Sequence, residues 1–145
     1  MKITIEEPIP GQEEEIIIRC NDIDADVMKL VSVLKEGKNK ITGYSEEGIS
    51  LLLLKDIYYF EAVDNKVFAY TKDKVYEVKN KLYEIEEKYE GCDILRVSKS
   101  TIANISKIAH LTPRLNGRFE ATMKNKEVIV ISRQYVGLLK EKLGI

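Results

Sequence analysis

The segment LRVSKSTIANISKI (residues 95–108) alternates apolar and polar side chains with a period of two, as a half-buried strand does. Its polar members include Arg96, Ser98, Lys99, Ser100 and Asn104, and no acid lies among them. Read as one strand, it rises from an exposed, donor-rich start at Ser98, Lys99 and Ser100 into IANISKI, where Ile102, Ile105 and Ile108 can pack. Three adjacent hydroxyl and amine donors suit phosphate oxygens and base edges. An ordinary polar loop fits these residues equally well. Asn104 is expected to fix the strand by hydrogen bonds inside the fold. A second stretch, VIVISRQYVGLLKEKL (128–143), changes character abruptly. Its β-branched run ends at Ser132-Arg133, and a helical pattern with Val136, Leu139 and Leu143 on one side begins.

Between residue 41 and these segments the pattern is mostly strand. Turn signals fall at Glu46-Glu47-Gly48, Asp64-Asn65-Lys66 and Lys72-Asp73-Lys74, each flanked by aromatic or β-branched residues. NKLYEIEEKYEG (80–91) reads as a helix with Leu82, Ile85 and Tyr89 on one face and Gly91 as its stop. ILRVSKSTIANISKIAHLTP and RFEATMKNKEVIVIS read as two long strand regions, the latter with a turn at Lys124-Asn125-Lys126. Ile57, Tyr59 and Phe60 are expected in the core. The first forty residues differ from the rest. MKITIEE and EEEIIIRC read as short strands separated by the breaker PIPGQ, and NDIDADVMKLVSVLKEG as a helix. In that helix Asp24 can cap, Val27, Leu30, Val31 and Leu34 share a face, and Gly37 closes. The expectation is a mostly β chain with α elements (α+β): a β-β-α appendage over 1–40, joined through GKNK to a β domain over 41–145 with one internal and one C-terminal helix.

Composition narrows the chemistry. Of 145 residues, 44% are hydrophobic and 32% charged, as in a protein that buries a core. No apolar run approaches the ~20 residues of a membrane helix, and the N-terminus lacks the pattern of a signal peptide. Cys20 and Cys92 are expected as free thiols of a reducing cytoplasm, and the single His110 gives no basis for a zinc site. No phosphate-binding glycine loop, Cys–His pair or acid pair with catalytic spacing is present, so neither an enzyme nor a cofactor is expected. The net charge of −1 conceals a division. Residues 1–90 hold 13 Lys/Arg against 20 Asp/Glu, net −7, whereas 91–145 hold 10 against 4, net +6. A basic C-terminal part suggests an anionic partner.

The ordered set of motifs resembles the LytTR DNA-binding domain family. LLLLKDIYYFEAVDNKVFAYT (51–71) resembles the family's I-x-Y-I-E strand with its hairpin, and LYEIEEKY its helix. RVSKSTIANISKI resembles F-x-R-[IV]-H-[RK]-S-x-[IL]-[IV]-N, and VIVISRQYVGLLKEKL the closing [IV]-x-[IV]-S-R-x-[YF]-x-x-x-[LV]-[KR]. The likeness covers residues 44–143. It implies an elongated, multi-sheet β fold whose loops and last-helix start enter successive major grooves. Lys99 matches the exposed position before the serine, and Arg133 the arginine after the last strand; both positions contact DNA in the family. Ser98, Ser100, Lys107 and Arg114 are further candidates for backbone contact. Two departures stand out. The first hairpin, where a third contact is expected near Glu46 to Ile49, reads SEEGI, and Ser98 stands where the family has histidine. These departures and the near-zero net charge leave an alternative: a protein-interaction module that kept the fold and lost DNA binding.

Forty residues are too few for the receiver domain that usually precedes this part in response regulators. The resemblance is therefore to short stand-alone regulators, some of which are restrained by a small multi-pass membrane protein. Such a protein, double-stranded DNA and a second copy of the chain are the partners it suggests, with no small-molecule substrate. EEEIIIRC offers an edge on which a second chain could pair.

Overall fold

The computed structural model describes residues 2–36 and 39–145. Ten strands run in chain order: β1 (Lys40–Ser45), β2 (Gly48–Leu53), β3 (Tyr59–Val63), β4 (Lys66–Tyr70), β5 (Val75–Val78), β6 (Ile94–Ser98), β7 (Thr101–Asn104), β8 (Ile108–Pro113), β9 (Phe119–Met123) and β10 (Val128–Ile131). The helices are α1 (Ala25–Glu36), α2 (Leu82–Lys88) and α3 (Arg133–Leu143). Seven strands form one antiparallel sheet in the order β2-β1-β5-β4-β3-β7-β6, and β10-β9-β8 form a second. The α+β class, mostly β with few helices, agrees with expectation.

Period-two alternation gives the large sheet two buried faces. Phe60, Ala69 and Ile102 face one way and pack under α2, against Leu82, Ile85 and Tyr89. Tyr59, Val97 and Ala103 face the other way, against Ala121, Met123, Ile129 and Ile131 of the small sheet and Val136 and Leu139 of α3. Ile57, Phe60 and Tyr59 are buried, as expected. Leu143 is not; it ends α3 largely exposed. The Tyr89 hydroxyl donates to the Lys40 carbonyl at 2.6 Å and so ties α2 to the start of β1. Burial is the main cause that raises its pKa.

The turn chemistry follows the residues. Asp64 and Asn65, with φ 51° and 64°, make the two-residue turn between β3 and β4. Positive φ at both positions matches the right-handed strand twist, and Asn and Asp tolerate it best among side-chain-bearing residues. Glu46 and Glu47 make the turn between β1 and β2, which pair from Ser45↔Gly48 to Lys40↔Leu53.

Two strand expectations change. ILRVSKSTIANISKIAHLTP is three strands rather than one long region. β6 and β7 form a hairpin that closes Ser98↔Thr101 after a bulge beyond Arg96, leaving Lys99-Ser100 as its turn. The donor-rich residues are therefore a loop tip, not the start of a strand. At the other end Asn104 stops β7. Its side-chain NH2 donates to the Ile57 carbonyl at 2.8 Å, and its side-chain oxygen accepts from the Ser106 amide and hydroxyl at 3.1 and 2.7 Å. A short 3-10 turn over Ile105–Lys107 then redirects the chain into the second sheet. The second correction concerns the first residues. MKITIEE and EEEIIIRC form no strand: no ladder is assigned among residues 2–20. An unsupported two-stranded hairpin is marginal in water. Only the helix of the expected β-β-α unit forms, with the Asp24 carboxylate accepting from the Val27 amide at 2.9 Å as its cap. The expected stop at Gly37 lies outside the described residues.

Asn104→Ala is expected to lower the unfolding free energy by about 2–3 kcal/mol, because the Ile57 carbonyl and the Ser106 amide and hydroxyl lose their partner and a cavity opens. Urea denaturation checks this. A loss below about 0.5 kcal/mol would show that water replaces the carboxamide without cost.

Candidate nucleic-acid interface

The sequence candidates sit on connections between strands, and the register shows which connections meet. Glu61 pairs with Thr101, and the Ala62 amide donates to the Ser100 carbonyl at 2.8 Å. The Lys99-Ser100 turn thus lies beside the Asp64-Asn65 turn, at one end of the large sheet. The Ser132 amide donates to the Val97 carbonyl at 2.8 Å. That bond brings the start of α3, with Arg133, to the same end. Ile131 pairs with Phe119, and Phe119 with Pro113, so the Arg114–Arg118 connection between β8 and β9 ends there as well. Loop tips and one helix start therefore gather into one basic edge carrying Lys66, Lys99, Arg114, Arg118 and Arg133.

The donors at the Lys99 turn have unequal roles. Arg96 is spent inside the protein. Its Nε donates to the Ser98 carbonyl at 2.8 Å, its Nη2 to the Lys99 carbonyl, and its Nη1 to Glu86 of α2. One planar guanidinium thus clasps the Ser98 and Lys99 carbonyls, a geometry that a lysine cannot reproduce. Ser98 and Ser100 face each other, with hydroxyl oxygens 3.5 Å apart, and the Ser98 oxygen accepts from the Ser100 amide. Asn104 is buried and fully engaged. Lys99 remains, exposed at the tip, with no salt bridge among the described residues.

Arg133 is exposed at the first position of α3 and likewise makes no salt bridge among the described residues. Its aliphatic stem crosses Gly117. A Cβ at Gly117 would lie 2.9 Å from both Cγ and Cδ of Arg133. Gly117 and the preceding Asn116 have φ of 74° and 64°, where glycine and asparagine are the favoured residues. The loop is thereby shaped to let the arginine stem pass. Arg114 pairs with Glu120 at 2.9 Å on the surface, where such a pair is weak and easily exchanged for a phosphate.

Two candidates do not join this edge. Lys107 lies at the opposite end of the small sheet, its amine 5.1 Å from the centre of the Tyr58 ring, beside the Thr71–Lys74 connection. The first hairpin also turns at the far end of the large sheet, where Glu47 pairs with Lys74 at 3.1 Å. The third loop beside Lys99 is instead the Asp64–Lys66 turn. Arg96, Gly117 and Arg118 were missed by sequence reasoning. For Gly117 a signal existed, since Asn-Gly in LTPRLNGR marks a left-handed turn immediately before a strand.

A family model for the LytTr DNA-binding domain matches residues 47–144. The chain belongs to the LytTR DNA-binding domain family. It is 35% identical over 100 residues to sensory transduction protein LytT of Bacillus cereus, an alignment covering 69% of this chain and 41% of that one. It is 30% identical over 139 residues to LytT of Bacillus subtilis strain 168, covering 94% and 58%. The chain thus spans about half the length of these LytT relatives. Over 135 residues it is 26% identical to an uncharacterised HTH-type transcriptional regulator of Staphylococcus aureus strain NCTC 8325, covering 92% of this chain and 91% of that one. A solved LytTr DNA-binding domain of a Bacillus cereus response regulator superposes with a TM-score of 0.70 at 23% identity, covering 74% of this chain and 98% of that one, and so shares the fold. α2 and α3 of this LytTR domain are separated by five strands and form no helix-turn-helix pair. No described helix is long and apolar enough to cross a membrane. Among the described residues no cluster of three or more His, Cys, Asp or Glu could hold a metal.

Two substitutions test how the edge is built. Arg96→Lys is expected to lower stability by about 1–2 kcal/mol and to broaden the amide resonances of Ser98 to Thr101, because the bidentate clasp is lost. Gly117→Ala is expected to cost about 1 kcal/mol from its positive φ and to displace Arg133. Chemical denaturation together with the 15N spectrum reports both, and unchanged 98–101 resonances in Arg96→Lys would rule the clasp out.

Proposed function

We propose that the chain is a non-enzymatic, cytoplasmic transcriptional regulator that binds double-stranded DNA sequence-specifically through this basic edge. The observation that carries the reading is the meeting, at one end of a DNA-binding-domain fold, of Lys99 on a loop tip and Arg133 at the start of α3, both exposed and without a salt bridge among the described residues. Arg133 has a planar fork of donors suited to the O6 and N7 of a guanine in the major groove. Its position at a helix start adds the partial positive charge of free backbone amides, which favours phosphate nearby. Lys99, on a tip held by Arg96, supplies a point charge for a phosphate or a base edge. Ser98, Ser100, Arg114 and Arg118 provide flanking donors to the backbone, and Lys66 extends the edge past the β3–β4 turn. Lys107 faces elsewhere and takes no part. The likeness to the Staphylococcus aureus protein named as a transcriptional regulator supports the regulatory reading. A small membrane protein as its restraint remains the suggestion of the family resemblance alone.

Outside the five cations of this edge, residues 41–145 hold 12 Lys/Arg against 15 Asp/Glu, so binding rests on a few cations rather than on overall charge. Affinity is therefore expected to fall with salt at a slope of about −0.9 per neutralised phosphate, over a handful of contacts.

Selection from a random duplex pool is the test. The wild type is expected to enrich one short motif. Arg133→Ala is expected to relax one position of that motif by about 1–3 kcal/mol, and Lys99→Ala to weaken all sequences alike and reduce the salt slope by about 1. Lys107→Ala serves as the control and is expected to bind as wild type. No enrichment by the wild type at low salt would overturn the proposal and favour a protein-interaction module.

A further inference from the structure

The arm formed by residues 2–20 has the composition of a strand pair and no ladder. Its isoleucines face solvent: Ile3 and Ile5 are 85% and 94% exposed, Ile16 and Ile17 73% and 59%. The two halves nevertheless fold back on each other. The Gln12 amide donates to the Ile9 carbonyl at 2.9 Å, and the Gln12 side chain accepts from the Ile9 amide at 3.1 Å. An open groove of about 520 Å³ separates the halves, bordered by Lys2, Thr4 and Glu6 on one side and Glu15, Ile17 and Arg19 on the other.

Charge explains why the halves do not zip. A hairpin whose turn closes Ile9 on Gln12 sets Glu6 opposite Glu15, Glu7 opposite Glu14 and Lys2 opposite Arg19. Every charged pair is then between like charges, and like charges directly across an antiparallel pair are destabilising. Pro8 and Pro10 remove two further donors. The segment Glu15–Arg19, EIIIR, has the opposite property toward itself. Paired antiparallel with its own copy about Ile17, it sets Glu15 opposite Arg19 twice, Ile16 opposite Ile18 twice, and Ile17 opposite Ile17.

We infer that residues 15–19 pair with the same residues of a second copy of this chain, across a two-fold axis at Ile17, and that this arm is the homodimerisation element. The pairing gives the exposed isoleucines cross-strand neighbours and the unpaired backbone a ladder. It matches each charge with its opposite, which the intrachain hairpin does not. A two-fold dimer would carry two basic edges, as recognition of two half-sites requires. Self-association is independent of whether those edges read DNA.

Sedimentation velocity of the full chain without DNA tests it. The wild type is expected to be a dimer at micromolar concentration. Glu15→Arg places arginine opposite Arg19, and Arg19→Glu places glutamate opposite Glu15. Each is expected to weaken dimerisation by roughly tenfold or more, since symmetry doubles every pair. An equimolar mixture of the two variants restores both opposite-charge pairs and is expected to dimerise again as a heterodimer. Far-UV circular dichroism is expected to show each variant folded as wild type, since the arm lies outside both cores. A monomeric wild type, singles that dimerise undiminished, or a mixture that stays monomeric would each overturn the inference. None of these outcomes bears on the duplex selection, which tests DNA reading separately.

Discussion

The buried carboxamide of Asn104 is the interaction on which the remaining architecture depends. It ends β7 where its backbone amide donates to Tyr58 and its side chain binds the Ile57 carbonyl and the Ser106 turn. Because β7 stops, the chain crosses to the second sheet, and the two sheets can enclose Ala103, Ala121, Met123 and Ile131 between them. No buried side-chain polar atom among the described residues lacks a partner, so the network is complete rather than partly satisfied. A single apolar residue at this position would leave the Ile57 carbonyl without its side-chain donor.

The same stop places the basic edge. Fixing β7 at Asn104 fixes the register of the β6–β7 hairpin, and the tip falls at Lys99-Ser100. Arg96 then stiffens the tip from within, and the Ser132 amide latches the start of α3 to β6. A rigid frame with short, internally braced tips suits recognition, because little conformational freedom is lost when a ligand binds. Lys66, Lys99, Arg118 and Arg133 are exposed on this edge and make no salt bridge among the described residues. Arg96 is braced within the protein and Arg133 is not, although composition treats them alike.

Much of this was legible along the chain. Period-two alternation identified the strands, and Asp64-Asn65 and Glu46-Glu47-Gly48 identified hairpin turns, because these turns need positive φ or tolerate polar tips. Leu82, Ile85 and Tyr89 gave α2, and all three are buried. Asn104 was expected inside the fold and lies there. Three things were not legible. Lys99-Ser100 carries no glycine or asparagine, so the turn is imposed by register and by Arg96 rather than by local preference. Lys107 and Arg114 look equivalent in sequence, yet β8 lies between them and sends them to opposite ends of its sheet. MKITIEE and EEEIIIRC have strand patterns, but pattern does not supply a partner.

The sequence by itself determined the element types, the buried faces and the family, because these depend on side-chain size, polarity and spacing within a few neighbouring residues. Only the tertiary structure decided which loops meet, which arginine is free and which lysine faces away. Those outcomes depend on antiparallel register and on hydrogen bonds between residues as far apart as Ala62 and Ser100, or Val97 and Ser132. Such pairings are settled by the packing of whole faces, and no short window of sequence contains them.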